Sequence, residues 1–346
     1  MEPVEALRRI AFLLERSHEP TYRVQAFRKA ADLVESAAPG ELAGRARDGT
    51  LTALPGIGKV TALVIAEALR GEVPDYLRRL EPAEGEPASE PAGEATAALR
   101  AALRGDLHTH SDWSDGGSPI REMAETAWQL GHAYLALTDH SPRLKVANGL
   151  SADRLRRQLD VVAELNEELA PLRILTGIEV DILDDGTLDQ EPGLLGQLDV
   201  VVASVHSKLR MDRAAMTRRM VAAIANPRVN VLGHCTGRIV KAGGPRGAIR
   251  PESEFDPARV FDACAAHDVA VEINSRPERL DPPMRLLRLA LEAGCRLAIN
   301  SDAHAPGQLD WQPTGCERVA RCDVDPGQIV NTLSSDELIA WTRAKR

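Results

Sequence analysis

From about residue 104 onward, short apolar runs alternate with stretches whose apolar residues recur at helical spacing. The runs are residues 133–137, 174–182, 200–205, 229–232, 269–273 and 296–299, with helical stretches such as 151–169 and 256–267 between them. A further strand ending at Leu107 brings the pattern to seven βα units. Runs that are apolar at nearly every position, rather than at every second one, suit parallel strands covered on both faces. Such a succession predicts an α/β barrel, and barrels of this kind carry their reactive side chains at the C-terminal ends of the strands.

Those ends carry an uncommon set of residues. His108, His110 and Asp115 form a His-x-His-x₄-Asp pattern, followed by His140, Glu179, His206 and His234 and then by the Asp-x-His pair Asp302 and His304. One histidine near a strand end is ordinarily a packing or surface residue. Here six of the chain's nine histidines fall at such ends together with three carboxylates, which points to a multinuclear metallohydrolase. Imidazole and carboxylate donors suit Zn²⁺, Mn²⁺ or Fe²⁺, and a carboxylate such as Glu179 can bridge two ions. Closely spaced ions generate hydroxide from a shared water and stabilise both oxygens of an in-line phosphoryl displacement, so phosphoester hydrolysis is the expected chemistry. His18, His132 and His267 lie outside the pattern and are read as ordinary surface or packing residues.

The motifs that carry these residues, DLHTHSDWSDG, ALTDHS, GIEVDIL, ASVHS, LGHCTGR, VEINSRPERLD and INSDAH, resemble those of the PHP (polymerase and histidinol phosphatase) domain. The resemblance implies a distorted seven-stranded, TIM-like (β/α) barrel with three divalent metal ions. It implies that His108, His110, Glu179 and Asp302 hold the first ion, Glu179, His206 and His234 the second, and Asp115, His140 and His304 the third. Within that family, the stretch TDHSPRLKVANGLSADRLRRQLDVVAELN is similar to the PHP domain at the C-terminal end of bacterial family X DNA polymerases.

Residues 1–80 read as a separate all-helical head. Leu54-Pro55-Gly56-Ile57-Gly58-Lys59 followed by VTALVIAEALRGE resembles a helix-hairpin-helix, in which a tight glycine turn offers backbone N–H groups to a phosphate. Gly56, Gly58 and Lys59 are the expected DNA contacts, and the flanking TYRVQAFRKAADLV is similar to the N-terminal DNA-end-binding domain of the same polymerases. Between head and barrel, residues 81–103 begin with a Pro-, Glu- and Ala-rich stretch without large apolar residues, which predicts a flexible acidic linker leading to a PHP domain over residues 104–346. This spacing leaves no room for a polymerase palm, so no polymerase activity is expected. Val64 stands where the resemblance would place the Schiff-base lysine of a deoxyribose-phosphate lyase, so that activity is not expected either.

Charge sharpens the reading of partners. The formal net charge is −9, which argues against tight nonspecific binding to nucleic acid; any DNA contact must be weak, local and directed at the backbone. Arg143, Lys208 and Arg238 shortly follow His140, His206 and His234, and Arg276 and Arg279 follow the sixth strand, so cations are expected at the barrel mouth as phosphate contacts. Asn274 and Ser301 are candidates for orienting the ligands. The five cysteines show no CxxC spacing and are expected to be reduced. No apolar run approaches the ~18 residues of a membrane span, so a cytoplasmic protein without a membrane partner is expected, and nothing in the sequence speaks to oligomeric state. The function expected from these features is metal-dependent hydrolysis of DNA phosphodiesters, as a 3′→5′ exonuclease or 3′-end-processing enzyme in repair. A small-molecule phosphatase of the histidinol-phosphate kind is the alternative, and a non-catalytic scaffold with structural metal is the third reading.

Overall fold

The computed structural model describes residues 1–38, 40–81, 93–240 and 250–345. The chain divides into two units, Met1–Pro91 and Ala92–Arg346. In the larger unit the seven expected strands are β1 (Gly105–Thr109), β2 (Tyr134–Leu137), β3 (Arg173–Asp181), β4 (Val200–Ser204), β5 (Val231–Leu232), β6 (Ala270–Asn274) and β7 (Leu297–Asn300). They pair in chain order and every pair is parallel, with a helical crossover packed outside. Two helices lie where the periodicity places them, Ala152–Glu168 and Pro257–Ala266. Ser151 and Asp256 cap them by accepting the N–H groups of Arg154 and Arg259.

The barrel is filled in layers. Leu107, Ala136, Leu175, Val202, Val231, Ala270 and Ala298 form a buried cluster with Leu338 and Trp341 of the last helix, Ser335–Arg343. That helix closes one end of the barrel, and its own start is held reciprocally: the Ser334 N–H donates to the Glu337 carboxylate at 2.9 Å and the Glu337 N–H to the Ser334 hydroxyl at 3.3 Å. Outward-facing residues such as Ile178, Val180, Val201, Val271 and Ile299 bury against the surrounding helices.

Between β1 and β7 the barrel is drawn together largely by side chains, which is its distortion. A parallel bridge joins Thr109 to Ala303. Elsewhere along the seam the Leu107 N–H donates to Asn300 Oδ1 at 3.2 Å, the Ser301 N–H to Asp106 at 3.0 Å, and the amides of Asn331 and Gln312 each donate to the carbonyls of Gly105 and Ile299. Buried backbone groups that lack a ladder partner are thereby satisfied.

Residues 82–92, the N-terminal half of the expected linker, lie outside the described residues. The rest of that reading needs correction, because Glu94–Ala102 is a helix rather than a continuing linker. Its alanines are strong helix formers, and Leu99 and the following Leu103 are buried in the core of the barrel unit.

Among the described residues the head carries helices and no strand: Pro3–Arg16, Thr21–Ser36, Glu41–Arg47, Lys59–Leu69 and Asp75–Leu80. Leu7, Ile10, Ala11 and Leu14 recur on one face and pack with Phe27, Ala31, Val64, Ile65 and Leu77. The pair Arg28 and Glu15 is joined by two parallel bonds of 2.7 and 2.8 Å.

Candidate metal centre at the barrel mouth

A register shift in β1 sets up the site. Asp106 pairs with Leu135 and Thr109 with Leu137, so Leu107 and His108 together oppose one residue of β2. Strict alternation would turn these two side chains to opposite faces. The bulge lets Leu107 join the interior layer while His108 also reaches the interior, where its ring lies beside Glu179 and Glu272.

Glu179 is the centre of the constellation and is buried. Its Oε1 lies 2.9 Å from His234 Nε2 and 3.2 Å from His206 Nε2. Its Oε2 lies 2.9 Å from His140 Nδ1, 3.3 Å from His108 Nε2 and 3.7 Å from His110 Nε2. Asp302, with φ of +55°, places Oδ1 3.4 Å from His110 Nε2 and 3.9 Å from His108 Nε2. On the far side, Asp115 Oδ1 lies 3.4 Å from His304 Nε2, 3.5 Å from His140 Nε2 and 4.0 Å from His110 Nδ1. All nine residues singled out by the sequence thus meet at one end of the barrel.

Three subsets have donor atoms within 4.8 Å of one another: His108, His110 and Asp302; His140, Glu179 and His206; and His110, Asp115, His140 and His304. His110 stands between the first and third. A neutral imidazole offers one acceptor nitrogen, so His110 serves one group and keeps its proton toward the other.

The donor atoms fit cations better than they fit each other. His108 Nε2, both nitrogens of His110 and His206, His140 Nδ1, His234 Nδ1 and both oxygens of Glu179 are buried without a hydrogen-bond partner among the described residues. Such orphaned polar atoms are costly unless something absent from the chain satisfies them. The electrostatics are correspondingly divided. Burial alone would lower the pKa of His108, but Glu272, Glu179 and Asp302 hold it well above the ordinary value. Burial, with His304 and His140 as neighbours, pushes His110 well below it. Burial opposes ionisation of Glu179, and the surrounding His206, His108 and His140 overcome that and hold its carboxyl well below the usual range.

A second layer of carboxylates fixes these side chains. Glu272, fully buried on β6, takes His108 Nδ1 at 2.6 Å and accepts the His234 N–H at 2.7 Å, while the amides of Asn300 and Asn274 donate to it. With Nδ1 so engaged, His108 presents Nε2 to the centre, the arrangement by which metal-ligating imidazoles are oriented. Asp181 accepts the His206 N–H at 3.1 Å, and Asp139 gathers the backbone and hydroxyl of Ser111, the hydroxyl of Ser114 and the Gln158 amide, which shapes the turn leading to Asp115. Sequence reading missed all three. The available signal was an ionisable residue inside an apolar strand run, as in Val271-Glu272-Ile273. Asn274, expected to orient a ligand, donates to Asp302 at 3.0 Å, and Ser301 accepts the Ala303 N–H at 3.1 Å.

The candidate phosphate contacts separate. Arg276 sits at the centre, with Nη1 3.1 Å from His304 Nδ1 and 3.8 Å from Asp302 Oδ1. Arg279 joins it, with Nε 3.2 Å from Asp302 Oδ2. Arg238 is instead turned to the carbonyls of Arg279 and Leu280 and to Glu252. Lys208 pairs with Asp184 on the rim, and the exposed Arg143 lies near the same carboxylate.

In the head, Gly56 adopts φ of +97°, where a side chain would be strained. Gly58 caps the helix Lys59–Leu69, its N–H donating to Thr61 Oγ1 at 2.9 Å. Gly56, Gly58 and Lys59 are exposed at this hairpin, while Val64 is buried in the core.

Residues 106–276 match the PHP domain family and residues 1–73 the helix-hairpin-helix domain family. The chain is 39% identical over 239 residues to the DNA polymerase/3′-5′ exonuclease PolX of Bacillus subtilis (strain 168), covering 69% of this chain and 41% of that protein. It is 31% identical over 238 residues to a probable phosphatase of Thermoanaerobacter sp. (strain X514), covering 66% of this chain and 89% of that one. A solved histidinol phosphate phosphatase of Lactococcus lactis, complexed with zinc, L-histidinol and phosphate, aligns with a TM-score of 0.43 at 17% identity, covering 63% of this chain and 92% of that chain.

Proposed function

We infer from the chain's place in the PHP domain family, to which it belongs as a metal-dependent phosphoester hydrolase, that the ester it cleaves is a phosphodiester of DNA, with 3′→5′ exonucleolytic or 3′-end-processing polarity. The observation that carries this reading is the joining of two features in one chain: nine convergent ligands, and a helical head whose hairpin exposes Gly56, Gly58 and Lys59. A weak backbone-directed binder attached to a hydrolase raises the local concentration of DNA without needing strong affinity itself.

In this reading three divalent ions would be held by His108, His110, Glu179 and Asp302, by Glu179, His206 and His234, and by Asp115, His140 and His304. They would supply an activated water and neutralise charge on the phosphoryl oxygens. The chain's own groups do the positioning. Glu179 holds its two oxygens toward different sets of histidines. Glu272 keeps the His108 ring in one orientation. Arg276 and Arg279 bring positive charge beside Asp302, within reach of an anionic ester.

The likeness of the barrel to a probable phosphatase favours a second reading, hydrolysis of a small phosphomonoester. A denaturing gel separates the two: 5′-labelled single-stranded and gapped DNA incubated with the full chain and Mn²⁺, with His108→Ala as control, beside phosphate release from L-histidinol phosphate. A shortening ladder that vanishes in the variant supports the DNA reading. Intact DNA with phosphate release overturns it.

A further inference from the structure

The loop that leaves the metal centre at His140 and returns at Leu150 has an unusual construction. Its neck is pinched shut: the Leu150 N–H donates to the His140 carbonyl at 2.7 Å, and a Cβ on Gly149 would lie 1.9 Å from the Ser141 carbonyl oxygen, so only glycine fits. A one-turn helix at Lys145–Ala147 forms the tip, followed by Asn148 at φ of +54°. Ala147 and Leu150 anchor the loop by burial. Arg154 braces it to the neighbouring loop that carries Asp115, donating to the carbonyls of Asn148 (2.7 Å), Gly149 (3.2 Å) and Trp113, while the Asn148 amide also donates to the Trp113 carbonyl. Arg143 is fixed through its backbone, its N–H donating to Asp189 at 2.6 Å.

On this braced frame, Val146 is 95% exposed, the most exposed large apolar side chain among the described residues. Its neighbour Lys145 and the nearby Arg143 are exposed as well. A single exposed valine is unremarkable. An apolar tip preceded by two exposed cations, on a loop that springs from a candidate metal ligand, suits a nucleic-acid strand, which offers a sugar-base face beside its backbone phosphates.

We propose that the loop of residues 141–150 engages single-stranded DNA next to the scissile phosphate, with Val146 against a sugar or base and Lys145 and Arg143 on flanking phosphates. This rests on the reading of the barrel as a DNA phosphodiesterase, and it makes the loop the element that favours a strand over a small ester. Phosphate contacts fix the strand's register without reading sequence, so the preference is for polymer rather than for base identity.

The test compares Val146→Ser and Lys145→Gln with wild type, as full chains loaded with Mn²⁺, on 5′-labelled single-stranded DNA and on the small diester bis(p-nitrophenyl) phosphate. For each variant kcat/KM on DNA is expected to fall about tenfold through KM, while turnover of the small diester, metal content and melting temperature stay at wild-type values. Unchanged DNA kinetics, or equal losses on both substrates, overturn the proposal. Should wild type itself leave DNA intact while cleaving the small diester, the DNA reading of the barrel falls and the loop proposal with it. That outcome is distinct from an active wild type with indifferent variants.

Discussion

The head and the barrel are built for opposite kinds of contact. In the head, the interior is mostly apolar, and the groups offered to a ligand are an exposed glycine turn and Lys59 on its surface. In the barrel, the groups offered to a ligand are buried charges and imidazoles held by a second layer of buried carboxylates. Water screens an exposed contact and leaves it worth little by itself. A buried polar assembly is costly when half satisfied and strong when complete. Loss of one residue should therefore be graded in the head and near total in the barrel.

The sharpest way to break that comparison is at its centre. Glu179→Gln keeps the volume but removes the charge shared among five histidines. Several kcal/mol of transition-state stabilisation depend on the ions, so activity should fall by about 10³-fold or more. Elemental analysis should show fewer ions per chain than in wild type. Removing the ions from wild type by chelation should abolish activity and lower the melting temperature of the barrel unit, since ligand binding stabilises the folded state by mass action. An active, fully stable chelated protein would leave the cluster without a role in hydrolysis or in stability.

One step outward, Glu272→Gln should weaken metal affinity by about 10- to 100-fold, the range typical for partners of ligating imidazoles. Added Mn²⁺ should restore most of the activity, which it cannot do for Glu179→Gln. A metal titration that superimposes on wild type would mean that Glu272 only packs.

Glu272 also marks the border of what can be read from the sequence. The six runs and the segment ending at Leu107 became seven strands because an apolar run flanked by helical periods has few other ways to bury itself, and the convergence of the nine side chains was visible because histidines and carboxylates have little reason to gather at strand ends. The bulge at Leu107 and His108 was not visible, since it depends on pairing with β2. Nor was the β1–β7 seam, where Asn331 and Gln312 act across more than 200 residues of sequence. The helix Glu94–Ala102 was hidden because its first residues carry no large apolar side chain, and it is Leu99 and Leu103 that dock it. Arg238 looked like a mouth cation from its position after His234, but spacing does not reveal that carbonyls of residues 279 and 280 would claim its guanidinium.

In the head, Lys59→Glu should raise KM on long DNA by about tenfold or less, the effect of losing one phosphate contact, and reduce the salt dependence of that KM. Hydrolysis of a small chromogenic ester should not change. Equal losses on both substrates would erase the contrast between a graded head and an all-or-none barrel.

The smallest expected effect sharpens the contrast from inside the barrel unit, away from the metal centre. His132 is fully buried beside Arg100, whose guanidinium approaches Nε2 at 3.2 Å. Burial, and then the charge of Arg100, pushes its pKa down to about 3. The folded state therefore leaves this imidazole neutral where the unfolded chain, near 6.5, takes up a proton. Between pH 6.5 and 3 the unfolded state binds more protons, so stability is present above pH 6.5 and is lost progressively as the pH falls through this window. At pH 5 the loss from this one group is on the order of 2 kcal/mol. His132→Gln, compared with wild type after chelation so that acid release of metal does not enter, should flatten the fall of barrel-unit stability between pH 7 and 5. Parallel pH profiles for the two proteins would show that the imidazole takes up its proton within the folded barrel and that burial there is weaker than the packing around Arg100 implies.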